Sequence, residues 1–296
     1  MDTTNLITFL AIVDTGSFSE AGEKLFLTQP AVSKRIASLE EQLGTPVFDR
    51  VSRQVILNEA GKALLPRARQ MLELVHDTKL EIINLSGEVK GPLSIATSHH
   101  IGLRRLPNIL KTFTNTFPEV KLDIRFVDSE ASYEMLIRGE IELGIITLSP
   151  EIQPNIQSKK LWHDPLNFMT AKDHPLTKLK SVTTEQLSQY QAVLPSRNTF
   201  TFQVVKNLFD QEGLKLQTAM STNYLETLRM LAAIGLAWTI LPLTMQDDDL
   251  RILNVKLKGI QTSPSRQLGY ILHPKRTLSN AAKAFIKQLE RHKDSC

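Results

Sequence analysis

Between Asn58 and about Leu85 the apolar residues Leu64, Leu65, Met71, Leu72, Val75, Leu80, Ile82, Ile83 and Leu85 recur at helical spacing. At 1.5 Å per residue that helix would span roughly 40 Å. The 58 residues before it are too few to bury a stripe of that length. A helix buried in its own domain is one reading. A dimer-forming helix is the better one, because Gly87, Gly91 and Pro92 cluster only at its far end. This helix also marks a change of pattern: short helices precede it, and strands alternating with helices follow it.

Before the long helix, Leu6, Phe9, Leu10 and Val13 predict a first amphipathic helix ending near Gly16. Ser17 and Glu20 have the spacing of a capping box, and Glu20 with Lys24 that of an i,i+4 ion pair on a short second helix. Thr28 is placed to cap a third helix, with Pro30 in its first turn, where no amide donor is needed. That helix runs through Val32, Ile36, Leu39 and Leu43 to Gly44. Residues 47–57 alternate around a polar tip and predict a two-stranded wing.

Two helices joined by a short turn have the form of a helix-turn-helix, whose second helix enters the major groove N-terminus first. Here that end carries Thr28, Gln29, Pro30, Ser33, Lys34 and Arg35. Gln29 has the geometry to pair with adenine, and Lys34 or Arg35 to reach guanine or phosphate. Arg50 and Arg53 in the wing are placed for backbone or minor-groove contact. Ser17 is counted with these expected DNA-binding residues. On spacing alone, an α-hairpin without a DNA role stays open.

From residue 93 onward strands are expected at 93–97, 120–127, 142–147, 190–194, 216–220, 236–240 and 267–272. Helices are expected at 103–117, 131–138, 200–211, 224–234 and 280–289. Such alternation implies parallel sheet covered by helices.

The run Phe9–Val13, Gly16-Ser17-Phe18-Ser19, Ala21, Leu25, Leu27-Thr28-Gln29-Pro30-Ala31-Val32-Ser33-Lys34, Ile36, Leu39-Glu40, Leu43-Gly44, Phe48, Arg50 and Leu57–Gly61 resembles the N-terminal signature of LysR-type transcriptional regulators. Gly22 departs from the usual alanine, at about 1 kcal/mol of helix propensity. Asn58 stands for the usual threonine and caps as well. Leu106-Pro107, Phe117-Pro118, the run 139–145, Gly235–Ala237 and Leu241-Pro242 are similar to landmarks of that family's effector domain.

The resemblance implies an α+β multidomain protein. A winged helix-turn-helix over 1–58 and a linker and dimerisation helix over 59–88 would precede an effector domain over 89–296. That domain would be a two-lobed, periplasmic-binding-protein-like α/β module, with lobe I at about 92–162 and 267–296 and lobe II at about 163–266. Cleft-lining positions would be Ser98, His99 and His100, then Thr147 and Leu148, then Ser196, Arg197, Asn198 and Thr199 at a helix start. Hydroxyls and free amides there suit an anion, with Arg104, Arg105 and Arg197 adding charge. Taken singly, Ser and Thr at helix starts are more often plain caps. Double-stranded DNA with an interrupted palindrome, a small anionic effector, RNA polymerase and further copies of the chain would be the partners.

Composition decides less than it first suggests. Residues 1–58 hold 5 basic and 7 acidic side chains, a net of −2, while residues 89–296 hold 26 and 19, a net of +7. The basic surplus therefore lies outside the region expected on DNA. A single cysteine, Cys296, excludes a disulfide framework and a cysteine zinc site within one chain. No stretch of 18 apolar residues and no basic leader occurs, so a cytoplasmic protein is expected. Adjacent His99 and His100 lack the partners of a metal shell, so neither metal nor cofactor is expected. His163-Asp164 and the run Asp173-His174-Pro175 read better as surface structure than as acid–base pairs. An enzyme is not expected; a solute-binding protein without a DNA role is the alternative.

Overall fold

A computed structural model describes residues 1–51, 54–257 and 263–293, with Arg50, Val51 and Gln54 described by their backbone alone. Arg53 and Cys296, both singled out in the sequence, lie outside the described residues. The chain divides into two compact units, Met1–Ser86 and Gly87–Cys296.

The first unit contains α1 (Thr3–Thr15), α2 (Phe18–Leu25), α3 (Gln29–Leu43), β1 (Phe48–Val51), β2 (Gln54–Leu57) and α4 (Glu59–Asn84). Asp2 caps α1, Ser17 caps α2 and Asn58 caps α4, each accepting an amide from the first turn. Two expected local contacts are replaced by others, one local and one between helices. The Ser17 amide donates to Thr15 Oγ1 rather than to a Glu20 carboxylate. Lys24 pairs with Asp14 at the end of α1, at 3.1 Å, rather than with Glu20. An i,i+4 pair is worth only about 0.2–0.5 kcal/mol, so a neighbouring helix easily redirects it. Gly22 also has a packing reason: a Cβ there would stand 2.8 Å from the Leu27 carbonyl oxygen in the turn.

Leu6, Phe9, Ile12, Ala21, Val32, Ile36 and Leu39 form the core of this unit, and Leu64 and Ala68 bring the start of α4 into it. Farther along α4, Met71, Leu74, Val75, Ile82 and Ile83 are exposed. The apolar stripe is thus covered at one end only.

The second unit opens with β3 (Gly91–Thr97), α5 (His99–Arg104), α6 (Pro107–Thr116), β4 (Val120–Phe126), α7 (Ser129–Arg138) and β5 (Leu143–Thr147). Then come β6 (Gln157–Ala171), β7 (Val182–Thr183), α8 (Thr184–Ser188), β8 (Ala192–Leu194), α9 (Phe200–Gln211), β9 (Thr218–Ser221) and α10 (Leu225–Ala233). It ends with β10 (Thr239–Pro242), β11 (Leu250–Ile252), β12 (Val255–Lys256), β13 (Ser265–Leu272) and α11 (Asn280–Arg291). The helix expected over 103–117 is two helices, because Pro107 starts a new one.

The main sheet has the order β10-β6-β13-β5-β3-β4, with β11 also on β6. Strand β6 was not anticipated, and it organises the unit. From Gln157 to Pro165 it pairs with β13, and from Leu166 to Ala171 with β10 and β11. Pro165, which cannot donate to a ladder, stands where β6 changes partner. One lobe is built on Leu93, Ile95, Phe113, Trp162 and Phe285. The other is built on Phe168, Leu194, Phe202, Phe209 and Trp238.

Candidate functional site

Two sites emerge, one in each unit. In the first, the N-terminal turn of α3 presents Thr28, Gln29, Pro30 and Lys34 to solvent. Thr28 is the N-cap, yet its hydroxyl makes no capping bond. Ser33 is half-buried on the same helix. Arg35 turns away: its Nη1 donates to Thr8 Oγ1 of α1 at 3.4 Å, which makes it in part a packing residue. Ser17 is occupied in capping α2. In the wing, Arg50 pairs with Val55 across the hairpin.

The second site is a cavity of about 500 Å³ between the lobes of the second unit. Three parallel strands, β4, β3 and β5, deliver their C-terminal ends to it, the usual ligand position in such sheets. They bring Ser98 to His100 after β3, Phe126 at the end of β4 and Val127 to Ala131 after it, and Thr147 at the end of β5. The opposite wall supplies Pro195, Thr199, Thr201, Asn223, Tyr224 and Leu225, and Arg266 comes from β13.

Two polar contacts cross the cleft. Glu130 Oε1 accepts the Phe200 amide at the start of α9 at 2.6 Å, and Asn223 Nδ2 donates to Asp128 Oδ2 at 2.7 Å. Burial raises the Glu130 carboxyl above its ordinary value, with the Phe200 amide opposing. Arg266 is held at the wall: its Nε donates to Asp164 Oδ2 at 3.0 Å and its Nη1 to Thr201 Oγ1 at 3.2 Å. His100 is 5% exposed, and neither ring nitrogen has a hydrogen-bond partner in the described structure. Burial, then the Arg266 charge, lower its pKa to about 4, so the ring is neutral at physiological pH.

Of the positions expected in the cleft, Ser98, His99, His100, Thr147 and Thr199 line the cavity. Leu148, Ser196, Arg197 and Asn198 do not. The Leu148 side chain packs toward Gly269, the Ser196 amide is taken by Asn223, and Arg197 and Asn198 are exposed. Arg104 and Arg105 are also outside the lining; Arg105 lies 3.9 Å from Asp164. Asp164 is therefore a buried ion-pair partner, and alternation along β6 leaves His163 exposed on the other face. His174 Nδ1 accepts the Leu176 amide in a short turn, a structural use. Among the described residues no cluster of three or more potential metal ligands occurs.

Sequence reasoning missed Phe126, Asp128, Ser129, Glu130, Thr201, Asn223, Tyr224 and Arg266. A signal existed for some of them. Asp128 to Glu130 follow the second parallel strand, and the rule applied to the first and third strands covers it equally.

Residues 3–62 match the family model of the bacterial regulatory helix-turn-helix protein, lysR family, and residues 86–294 match the LysR substrate binding domain. An uncharacterized HTH-type transcriptional regulator from the ibpB-leuC intergenic region of Azotobacter vinelandii is 61% identical over 107 residues, covering 36% of this chain and 74% of its own length. A probable RuBisCO transcriptional regulator of Cyanidioschyzon merolae is 28% identical over 287 residues, covering 95% of each chain. Among solved structures, a full-length OxyR variant from Pseudomonas aeruginosa aligns with a TM-score of 0.67 at 22% identity, over 100% of this chain and 95% of its own. At that identity the likeness shows the fold alone.

Proposed function

The chain belongs to the LysR family of bacterial transcriptional regulators, and from that premise we propose which residues read the DNA and where the effector sits. As a member of that family it is a DNA-binding regulator with an effector domain, which sets aside a solute-binding protein without a DNA role. The observation that carries the DNA reading is the exposed, uncommitted row Thr28, Gln29, Pro30 and Lys34 at the start of α3. Gln29 reads a base edge, Lys34 a guanine or phosphate, and Ser33 a backbone position. Arg50 and Arg53 add contacts from the wing. Arg35 contributes through its contact with α1 rather than as a primary reader.

The exposed apolar residues of α4 pair two copies of the chain, which sets two recognition helices on an interrupted palindrome. A small molecule in the cleft favours one closure of the lobes and so biases how the paired headpieces lie on DNA and what they offer to RNA polymerase. The effector is released unchanged, and the protein works in the cytoplasm. An anionic effector has Arg266 and the hydroxyls of Ser98, Thr147, Thr199 and Thr201 in its support, and Asp128 and Glu130 opposed to it.

A mobility-shift assay with DNA upstream of the coding region and of its neighbours tests the DNA reading. Gln29→Ala with Lys34→Ala is expected to abolish the specific complex while leaving the thermal unfolding curve in place. A specific complex of unchanged affinity would remove α3 from its role.

A further inference from the structure

The charges that line the cleft have a sign opposite to that of the unit around it. Asp128 and Glu130 both reach the cavity, and Arg266 is the cation among its described lining residues. That cation is already paired: Asp164, 2% exposed, takes two of its N–H donors. The surplus of +7 carried by residues 89–296 is therefore spread elsewhere. An anion entering here would meet two carboxylates across a partly desolvated space, where repulsion is far stronger than in water.

Two other observations point to what enters instead. His100 is almost wholly buried, lines the cavity and has both ring nitrogens unpartnered. A neutral imidazole offers one donor and one acceptor, and leaving both buried and unused is costly unless a ligand meets them. Around the mouth, the rings of His99, Phe126 and Tyr224 form a cluster: His99 stands 5.3 Å from Phe126 and 4.9 Å from Tyr224. Phe126 and Tyr224 are each about half exposed, 46% and 53%. Gly102 makes room for this arrangement, since a Cβ there would lie 2.4 Å from Phe126 Cε1. Carboxylates beside aromatic faces are the surroundings a protonated amine prefers.

We infer that the effector carries a protonated amine, seated against Asp128 and Glu130 beneath the rings of Phe126, Tyr224 and His99. The inference rests on the reading of the cleft as the effector site. Both carboxylates already touch the opposite lobe, through Asn223 and the Phe200 amide. An ammonium group bound to them joins an existing bridge between the lobes, so its charge is felt where closure is decided.

The test uses the full-length protein and matched probes: agmatine and phenethylamine as amines, glutarate and 3-phenylpropanoate as acids of similar size. Calorimetric titration and thermal shift are followed for wild type, Asp128→Asn with Glu130→Gln, and Thr147→Val. At least one amine is expected to bind and raise the melting temperature, with affinity falling tenfold or more in the doubly neutralised variant. If that variant does not fold, Asp128→Asn alone serves, with a loss of severalfold expected. Stabilisation by the acids, lost in Thr147→Val, would overturn the charge assignment and leave the cleft as the ligand site. Amine binding that survives both the neutralised and the Thr147→Val variants would overturn the cleft itself. No response to either amine also overturns the inference.

Discussion

In the headpiece the side chains proposed to read DNA come mostly from one short stretch, Thr28 to Lys34 at the start of α3, with Arg50 and Arg53 of the wing beside it in the sequence. In the cleft they come from loops after three parallel strands, from three further segments of the opposite lobe and from β13. The first surface is exposed, and the Thr28 hydroxyl makes no capping bond there. The second is a cavity whose charged groups already have partners, Asp128 in Asn223, Glu130 in the Phe200 amide and Arg266 in Asp164. A site on one helix keeps its spacing whatever the rest of the chain does. A site assembled across two lobes exists only while their packing and ion pairs hold it, so its residues carry stability as well as binding.

That difference predicts where substitutions cost most. Asp164→Ala leaves Arg266 buried without its partner, and about 3–5 kcal/mol of stability is expected to be lost, read by denaturant titration of the second unit. Asp164→Leu combined with Arg266→Met should recover most of it. A loss below about 1 kcal/mol for the single change would show that the ion pair is solvated and the cleft less committed than described.

His100 gives the cleft a pH dependence of its own. The ring stays neutral in the folded protein down to about 4, whereas its unfolded value is 6.5. Unfolding therefore takes up a proton between these values. The associated stability is full above pH 6.5, falls as pH drops, and is gone by about pH 4. The shift corresponds to roughly 3 kcal/mol at 1.36 kcal/mol per unit. His100→Gln should flatten that part of the stability–pH curve for the second unit. An identical curve in the variant would assign the acid sensitivity to other groups.

In the headpiece the expected effects fall on binding instead. Gln29→Ala should cost about 1–3 kcal/mol per half-site and relax preference at one base position. Lys34→Ala should weaken all sequences alike and lower the salt slope by about 1 if it holds a phosphate. Equal loss of stability in these variants would erase the contrast with the cleft.

The smallest effect concerns Phe26, which ends α2 in the left-handed region at φ 54° and is 97% exposed. A bulky residue there is strained, while asparagine visits that region readily. Phe26→Asn should therefore stabilise the headpiece by up to about 1 kcal/mol, seen as a higher denaturant midpoint. A lower midpoint would mean that the ring has a packing role.

Much of the fold was legible because its signals are local. Gly16, Pro30, Gly44 and Asn58 punctuate helices by local chemistry that needs no distant neighbours, and the ends of α1, α3 and α4 that they set follow from it. Strand β6 was not legible, because a run containing Lys159, Lys160, His163, Asp164 and Pro165 has no clean alternation. Its partner changes midway, and only the packed lobes say so. Similarly, Lys24 could be paired with Glu20 from spacing, but α1 supplied Asp14.

By itself, then, the sequence determined a helical headpiece with Gln29 and Lys34 near the start of its third helix, a long helix with an apolar stripe, and an alternating α/β part beyond it. Periodicity, caps and turn residues act over a few residues and can be read in order along the chain. Tertiary structure decided that the stripe of α4 is covered at one end only, and that Arg266 spends its charge on Asp164. It also decided that Asp128 and Glu130, rather than the basic surplus, face the cavity. Net charge is a sum over residues, whereas the field in a cleft depends on which few of them point inward and which are already paired.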